Sequence, residues 1–253
     1  MDKGTDDADD GELLAEQIDF YRADAESYDR WLAELLLDEN DAPAARTYRA
    51  GRSLIAQEFQ QRAPLGRVLE IAAGTGRLVE LYGSYASTAV LVDASPESLT
   101  IAARRANTAP QITLVEADIF DWDTDGQRFD TVVFTAWLHH VPQARFDRFW
   151  AKVESLLAEG GRVIFDFANG NVAPGARWEI PSEPGQAFSG YAPRDGVSIR
   201  DQFGKRWRVV HNHWDPNELS SRLGELGWTI NVLGKGLFAN LDWAEAHRSA
   251  SRG

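Results

Sequence analysis

Apolar residues recur every three to four positions near the start of the chain: Leu13, Leu14, Ile18, Tyr21, Ala25, Tyr28, Trp31, Leu32 and Leu35. That spacing predicts one long amphipathic helix. A polar break from Asp38 to Pro43 separates it from a second helix over about 44–62. Short apolar runs rich in Val, Ile and Phe then alternate with helical patterns. They predict strands at 67–71, 88–92, 112–116, 129–134 and 161–167, with helices at about 77–83, 95–107 and 142–158. Alternation of this kind implies a parallel sheet covered on both faces. After Phe167 the pattern breaks down: residues 168–196 hold nine Gly or Pro residues. Trp178, Phe188 and Tyr191 within that stretch suit a lid better than a solvated linker. A strand at 206–213, a helix from Pro216 to about Leu226 and a strand at 228–233 follow, as a closing pair on the sheet edge.

Composition narrows the class. At 253 residues there is ample chain for a large core, and no repeat or second domain boundary is evident. Residues 1–12 read as a disordered acidic tail and 13–253 as one domain, with helices over 13–63 acting as a lid and a substrate-side cap over 168–214. No apolar run approaches the length of a membrane span, and the acidic N-terminus lacks a signal region, so the expected location is cytoplasmic. Zero cysteines exclude disulfides and thiolate chemistry. A net charge of −13 argues against a nucleic-acid partner. The one basic stretch, Gly204-Lys205-Arg206-Trp207-Arg208, reads first as a solvated strand face.

The chemistry begins at Glu70-Ile71-Ala72-Ala73-Gly74-Thr75-Gly76-Arg77, a buried strand that ends in a glycine turn and enters a helix. The next strand stops on Asp93, where a carboxylate can accept from a ribose diol. Together they indicate a nucleoside-bearing cofactor. No third glycine follows at the nicotinamide and flavin spacing, and no Gly-Lys-Ser/Thr marks a phosphate loop. Glu70, an acid within the turn motif, suits a ligand with an amine rather than a pyrophosphate.

Glu70 to Gly76 resembles the first motif of class I S-adenosylmethionine-dependent methyltransferases. Val92-Asp93-Ala94-Ser95, Glu116-Ala117-Asp118-Ile119-Phe120, Phe129 to Phe134 and Leu157 to Val163 are similar to that family's later motifs, in order. The resemblance runs from about Tyr21 to Leu233, with Ala72 where many members carry glycine. It implies a Rossmann-like, doubly wound α/β fold with a seven-stranded, mostly parallel sheet. S-adenosylmethionine is then the cofactor. Gly74 and Gly76 would offer N–H groups to its carboxylate, and Glu70 would act through the turn or at its ammonium end. Asp93 would hold the ribose and Asp118 the adenine amino group, with Ala94, Ile119 and Phe120 about the ring. Ala72 and Ala136 would line the site, and Tyr21 and Tyr28, seven apart on one helical face, would close over it.

The flanks narrow the resemblance. Phe20 to Asp29, Ala136-Trp137-Leu138-His139-His140-Val141-Pro142, Phe146 to Trp150 and Arg206 to Val210 look like an actinobacterial natural-product subgroup that includes the phosphonate O-methyltransferase of dehydrophos biosynthesis. Where such an enzyme would carry a basic residue after Val210, this chain has His211, which argues against a phosphonate acceptor. The implied activity is methyl transfer to a small molecule at oxygen, with a homodimer left open. Methylation of a protein or RNA, or cofactor binding without catalysis, are the alternatives.

A protonated acceptor needs a base, and histidine serves near neutral pH. His140 lies just past the fourth strand, where open α/β sheets hold their ligands, and is the first candidate; His211 is the second. His139 is expected to point away from His140. No metal site is expected, since His211, His213 and Asp215 lack a fourth ligand and sit among Trp207 and Trp214.

Overall fold

The computed structural model describes residues 3–40, 42–108, 111–170, 196–236 and 241–249. Two helices, α1 (Lys3–Leu37) and α2 (Pro43–Gln61), precede the first strand. Strands β1 (Gly66–Ile71), β2 (Ala86–Asp93), β3 (Ile112–Glu116), β4 (Phe129–Phe134) and β5 (Leu157–Ala168) alternate with α3 (Val79–Tyr82), α4 (Pro96–Ala102) and α5 (Phe146–Leu156). After residue 195 come β6 (Gly196–Gln202), β7 (Lys205–His211), α6 (Pro216–Glu225), β8 (Trp228–Lys235) and β9 (Leu241–Arg248).

Seven strands form one sheet in the order β3-β2-β1-β4-β5-β9-β8. The first five are parallel, and β9 runs antiparallel to both β5 and β8. Chain order reverses between β1 and β4, so a crevice opens there at the strands' carboxyl ends. Side chains alternate between two buried faces. Leu69, Ile71, Val132, Phe134 and Phe165 meet α5, while Val68, Val133 and Ile164 meet α2 and α3 through Ile55, Phe59 and Tyr82. Burial on both faces is why these strands read as unbroken apolar runs. On α5, Phe146, Phe149, Trp150, Val153 and Leu156 are buried at helical spacing. The Trp150 ring lies 5.4 Å from Phe165 and 5.2 Å from Trp228.

Two expectations change. The first helix begins at Lys3, where a disordered tail to residue 12 is predicted; an acidic sequence is what the positive end of a helix dipole favours. The predicted strand at 206–213 does not join the main sheet. As β7 it pairs antiparallel with β6 in a separate hairpin, and the sheet edge is closed by β8 and β9. The hairpin's exposed side carries Arg206 paired with Asp201 at 2.8 Å, while Trp207 faces inward against Phe20 of α1. The basic stretch is therefore a strand face held by its own chain. The lid expected from Trp178, Phe188 and Tyr191 lies outside the described residues.

Candidate active site

A cavity of about 300 Å³ opens at the switch point, walled by the turns after β1, β2, β3 and β4 and roofed by α1. Its size is at the lower end for small-molecule sites. Every predicted site residue lines it except Gly76.

The turn after β1 is shaped by three residues with positive φ: Ala72 at 51°, Gly74 at 53° and Gly76 at 74°. Alanine at 72 thus holds a backbone conformation that glycine adopts at no steric cost. Nothing lies within 4 Å of where a Gly74 Cβ would be, so the backbone there faces open space. Gly76 serves packing instead: a Cβ would come 2.9 Å from that of Ala102 on α4. Neither amide points to a ligand. The Gly74 N–H donates to Asp93 Oδ2 at 2.7 Å, and that of Gly76 to the Ala73 carbonyl at 3.0 Å. The expected N–H cradle for a cofactor carboxylate is closed within the turn.

Asp93 ends β2 and ties the site together. Its other oxygen accepts from the Ser95 N–H at 2.8 Å, just before α4, which Ser95 caps. A carboxylate has about four acceptor positions, so two remain for a ligand diol. Burial pushes its pKa up against these two backbone donors. Beyond β3, Asp118 accepts from the Phe120 N–H at 2.9 Å, which fixes Ile119 and Phe120 against the cavity. An acid at the β2 end with an apolar pair beside it fits a nucleoside.

Glu70 is even-numbered in β1 and so faces the α2 and α3 side, where it accepts from the Tyr82 hydroxyl at 2.7 Å. Full burial raises its pKa from 4.5 to about 8, further than that hydrogen bond lowers it. The folded protein therefore holds this proton while the unfolded chain loses it above pH 4.5. Stability of the cofactor-free chain is expected to fall as pH rises from about 4.5 to 8 and to level off above. In denaturant titrations at pH 5.5 and 8, Glu70→Gln should narrow that difference; an unchanged difference would show that Glu70 is ionised in the fold.

The turn after β4 carries the histidines. Residues Leu138–His140 form one 3-10 turn, clamped from two sides. From α1, the Gln17 side chain donates to the His140 carbonyl at 3.2 Å and accepts from the Val210 N–H at 2.9 Å. From the segment after β7, the Asn212 N–H donates to the His139 carbonyl at 2.8 Å and its side chain to the Val141 carbonyl at 2.7 Å. This clamp overturns the expectation that His139 and His140 diverge, since their ring centroids are 4.0 Å apart.

The tautomer of His140 follows from its neighbours. Nδ1 lies 2.6 Å from the Val210 carbonyl, which can only accept, so Nδ1 carries the hydrogen. Nε2 then presents its lone pair and accepts from the Tyr21 hydroxyl, also at 2.6 Å. Burial holds the pKa of His140 well below the ordinary histidine range, so the ring is neutral. The His211 ring is 6.0 Å from that of His140 and 4.8 Å from that of His213. Its pKa is pushed down to about 3, first by burial and then by His213 and Arg200. Asp215 caps α6 through the Asn217 and Glu218 amides.

Gln17, described above, Asp24 and Arg200 are cavity residues that were missed from the sequence. Asp24, three positions after Tyr21 on α1, has its carboxyl pushed up to about 7 by burial, with Arg200 pulling the other way. The i, i+3 spacing on the Tyr21 face could have flagged it. Arg200 lies on β6, beyond the stretch where the sequence pattern fails, and stands over the Phe20 ring at 4.8 Å. Among the described residues no helix is long and apolar enough to cross a membrane.

Residues 68–161 match a family described as methyltransferase domain. An uncharacterised methyltransferase of Bacillus cytotoxicus is 32% identical over 100 residues, which is 40% of this chain and 46% of that protein. Another, from Geobacillus kaustophilus, is 27% identical over 150 residues, 59% and 66% of the two chains. The match thus spans about half to two thirds of these curated relatives' length. Among solved structures, DhpI in complex with SAH is 26% identical with a TM-score of 0.69, over 94% of this chain and 97% of that one. The glycopeptide N-methyltransferase MtfA, at 24% identity and a TM-score of 0.55 over 78% and 94%, shares the fold. Residues 68–161 are thus similar to a methyltransferase domain, and the sheet topology and the likeness to DhpI give the chain the fold of the S-adenosylmethionine-dependent methyltransferases.

Proposed function

We propose that this protein transfers a methyl group from S-adenosylmethionine to a small-molecule acceptor, at oxygen. The observation that carries the reading is the Tyr21–His140 pair in the same cavity as the glycine turn, Asp93 and Asp118. The cofactor, when bound, supplies an electrophilic methyl, so the chain's own tasks are alignment, exclusion of water and removal of a proton.

Glu70, Ala72, Gly74, Asp93, Ala94, Asp118, Ile119, Phe120 and Ala136 form the cofactor wall in this reading, with Tyr28 above it. Gly76 supports that wall from behind. An acceptor hydroxyl donates to the Tyr21 oxygen as Tyr21 passes its own proton to His140 Nε2. Val210 favours that step by holding Nδ1–H in place, so Nε2 is the free base. His211 borders the acceptor end as a neutral imidazole. A cavity of about 300 Å³ under a helical roof suits a small molecule better than a folded partner. HEP is present with SAM in a structure of DhpI, the relative with 26% identity cited above. For this chain, His211 beside the cavity favours a different acceptor, one without a phosphonate.

Incubating the full chain with S-adenosylmethionine and a panel of hydroxylated metabolites is expected to release S-adenosylhomocysteine with a subset of them. Tight binding of the cofactor without release from any acceptor, small or macromolecular, would instead identify a binding protein.

A further inference from the structure

Four of the chain's five histidines converge beside the cavity, drawn from two separate segments. His139 and His140 come from the turn after β4, and His211 ends β7. Each of these three offers a ring nitrogen, and the three nitrogens lie within 4.8 Å of one another. His213 stands behind, its ring 4.8 Å from that of His211.

We infer that His139, His140 and His211 form a binding site for a divalent transition-metal ion of the zinc class, and that filling it takes His140 Nε2 away from Tyr21. Three neutral imidazoles suit zinc, cobalt, nickel or copper, whereas magnesium and calcium need oxygen ligands. Three histidines with a fourth position open to a cavity are a known arrangement for zinc. Metal–nitrogen bonds of about 2.0–2.1 Å require each ring to move inward by under about 1 Å. His139 Nδ1 is buried and makes no hydrogen bond, so ligation costs it no existing partner. The Val210 carbonyl already orients His140 as the outer partner of a metal-bound imidazole does. Arg200 acts electrostatically on all three rings, which favours an anion as the fourth ligand.

Exclusion follows from the same geometry. Nδ1 of His140 is committed to Val210, so only Nε2 can ligate, and Nε2 is the atom that accepts from Tyr21. Metal and base function cannot share it. The site goes beyond the methyl-transfer reading and does not rest on it.

The test is a Co²⁺ titration of the tag-free, chelator-stripped full chain without cofactor. A saturable visible absorption band at one ion per chain, displaced by Zn²⁺, is expected. His139→Gln and His211→Gln, on different elements, should each weaken binding at least ~10-fold. His247→Gln, at the far end of β9, should leave it unchanged. Absence of a saturable band, or unsubstituted-chain affinity in either cluster variant, would overturn the site. In turnover, Zn²⁺ should suppress S-adenosylhomocysteine release in step with occupancy; full activity at full occupancy would overturn the exclusion. A chain that turns over but binds no metal sinks only this inference, and one that binds metal but never turns over sinks only methyl transfer.

Discussion

Replacing Asp93 with alanine is expected to remove cofactor binding and to loosen the fold at the same time. Its two oxygens accept from the Gly74 and Ser95 amides, so the β1 turn and the start of α4 are pinned to one carboxylate. Truncation leaves two partly buried N–H groups without acceptors, at up to about 1–3 kcal/mol each. It also removes the acceptor for a ribose diol, whose hydrogen bonds to a charged group contribute about 1.5–3 kcal/mol apiece. Affinity for S-adenosylhomocysteine by calorimetry should fall ~100-fold or more, and denaturant stability by about 2–4 kcal/mol. Asp93→Asn, which keeps one acceptor oxygen, should recover part of the stability and little of the affinity. Undiminished affinity in the alanine variant would mean that Asp93 is a structural clamp alone.

His140→Gln should divide the outcome differently. Loss of a positioned base costs about 10²–10⁴-fold in rate, while affinity for S-adenosylhomocysteine should hold because His140 lies outside the nucleoside wall. Glutamine can still donate to the Val210 carbonyl, so the turn should survive. Tyr21→Phe should slow turnover as well. The double variant should lose little more than the worse single one, since the two groups act as a unit. Turnover and pH profile left intact in His140→Gln would refute the base assignment. A loss of cofactor affinity equal to the loss of rate would make His140 a support for the cavity wall.

Much of the parallel half was legible because its strands are apolar on both faces and its motifs sit at strand ends. Gly74 and Asp93 stood out by position, and Asp118 through the resemblance. The rest failed for physical reasons. Leu241-Asp242-Trp243-Ala244-Glu245-Ala246-His247-Arg248 forms an inner strand, yet its alternation is blurred by Asp242 and Ala244, both buried. Asp242 is tolerated because Asn169 donates to it at 2.6 Å and Lys235 pairs with it. No local pattern reports such partners. The pairing of β6 with β7 was hidden by the unreadable stretch before it. Gln17 and Asp24 were overlooked because α1 was read as an apolar stripe. Polar residues set within that stripe, with Leu14, Tyr21 and Tyr28, were the signal that it faces a cavity rather than a core. The convergence of His139, His140 and His211 needs two segments some 70 residues apart and cannot be read from either.

Asp29 in the last third of α1 accepts from Arg77 of the glycine turn at 2.9 Å and from Arg105 at 3.0 Å. Arg105 in turn donates to the Thr75 carbonyl and pairs with Glu80, which also holds Arg52 of α2. The roof is thus wired to the floor beneath it. Exchanging α1 for a homologous helix to change acceptor range would break this junction unless Asp29, Arg77 and Arg105 travelled together. A helix exchange in this chain therefore has to carry the loop residues beneath it.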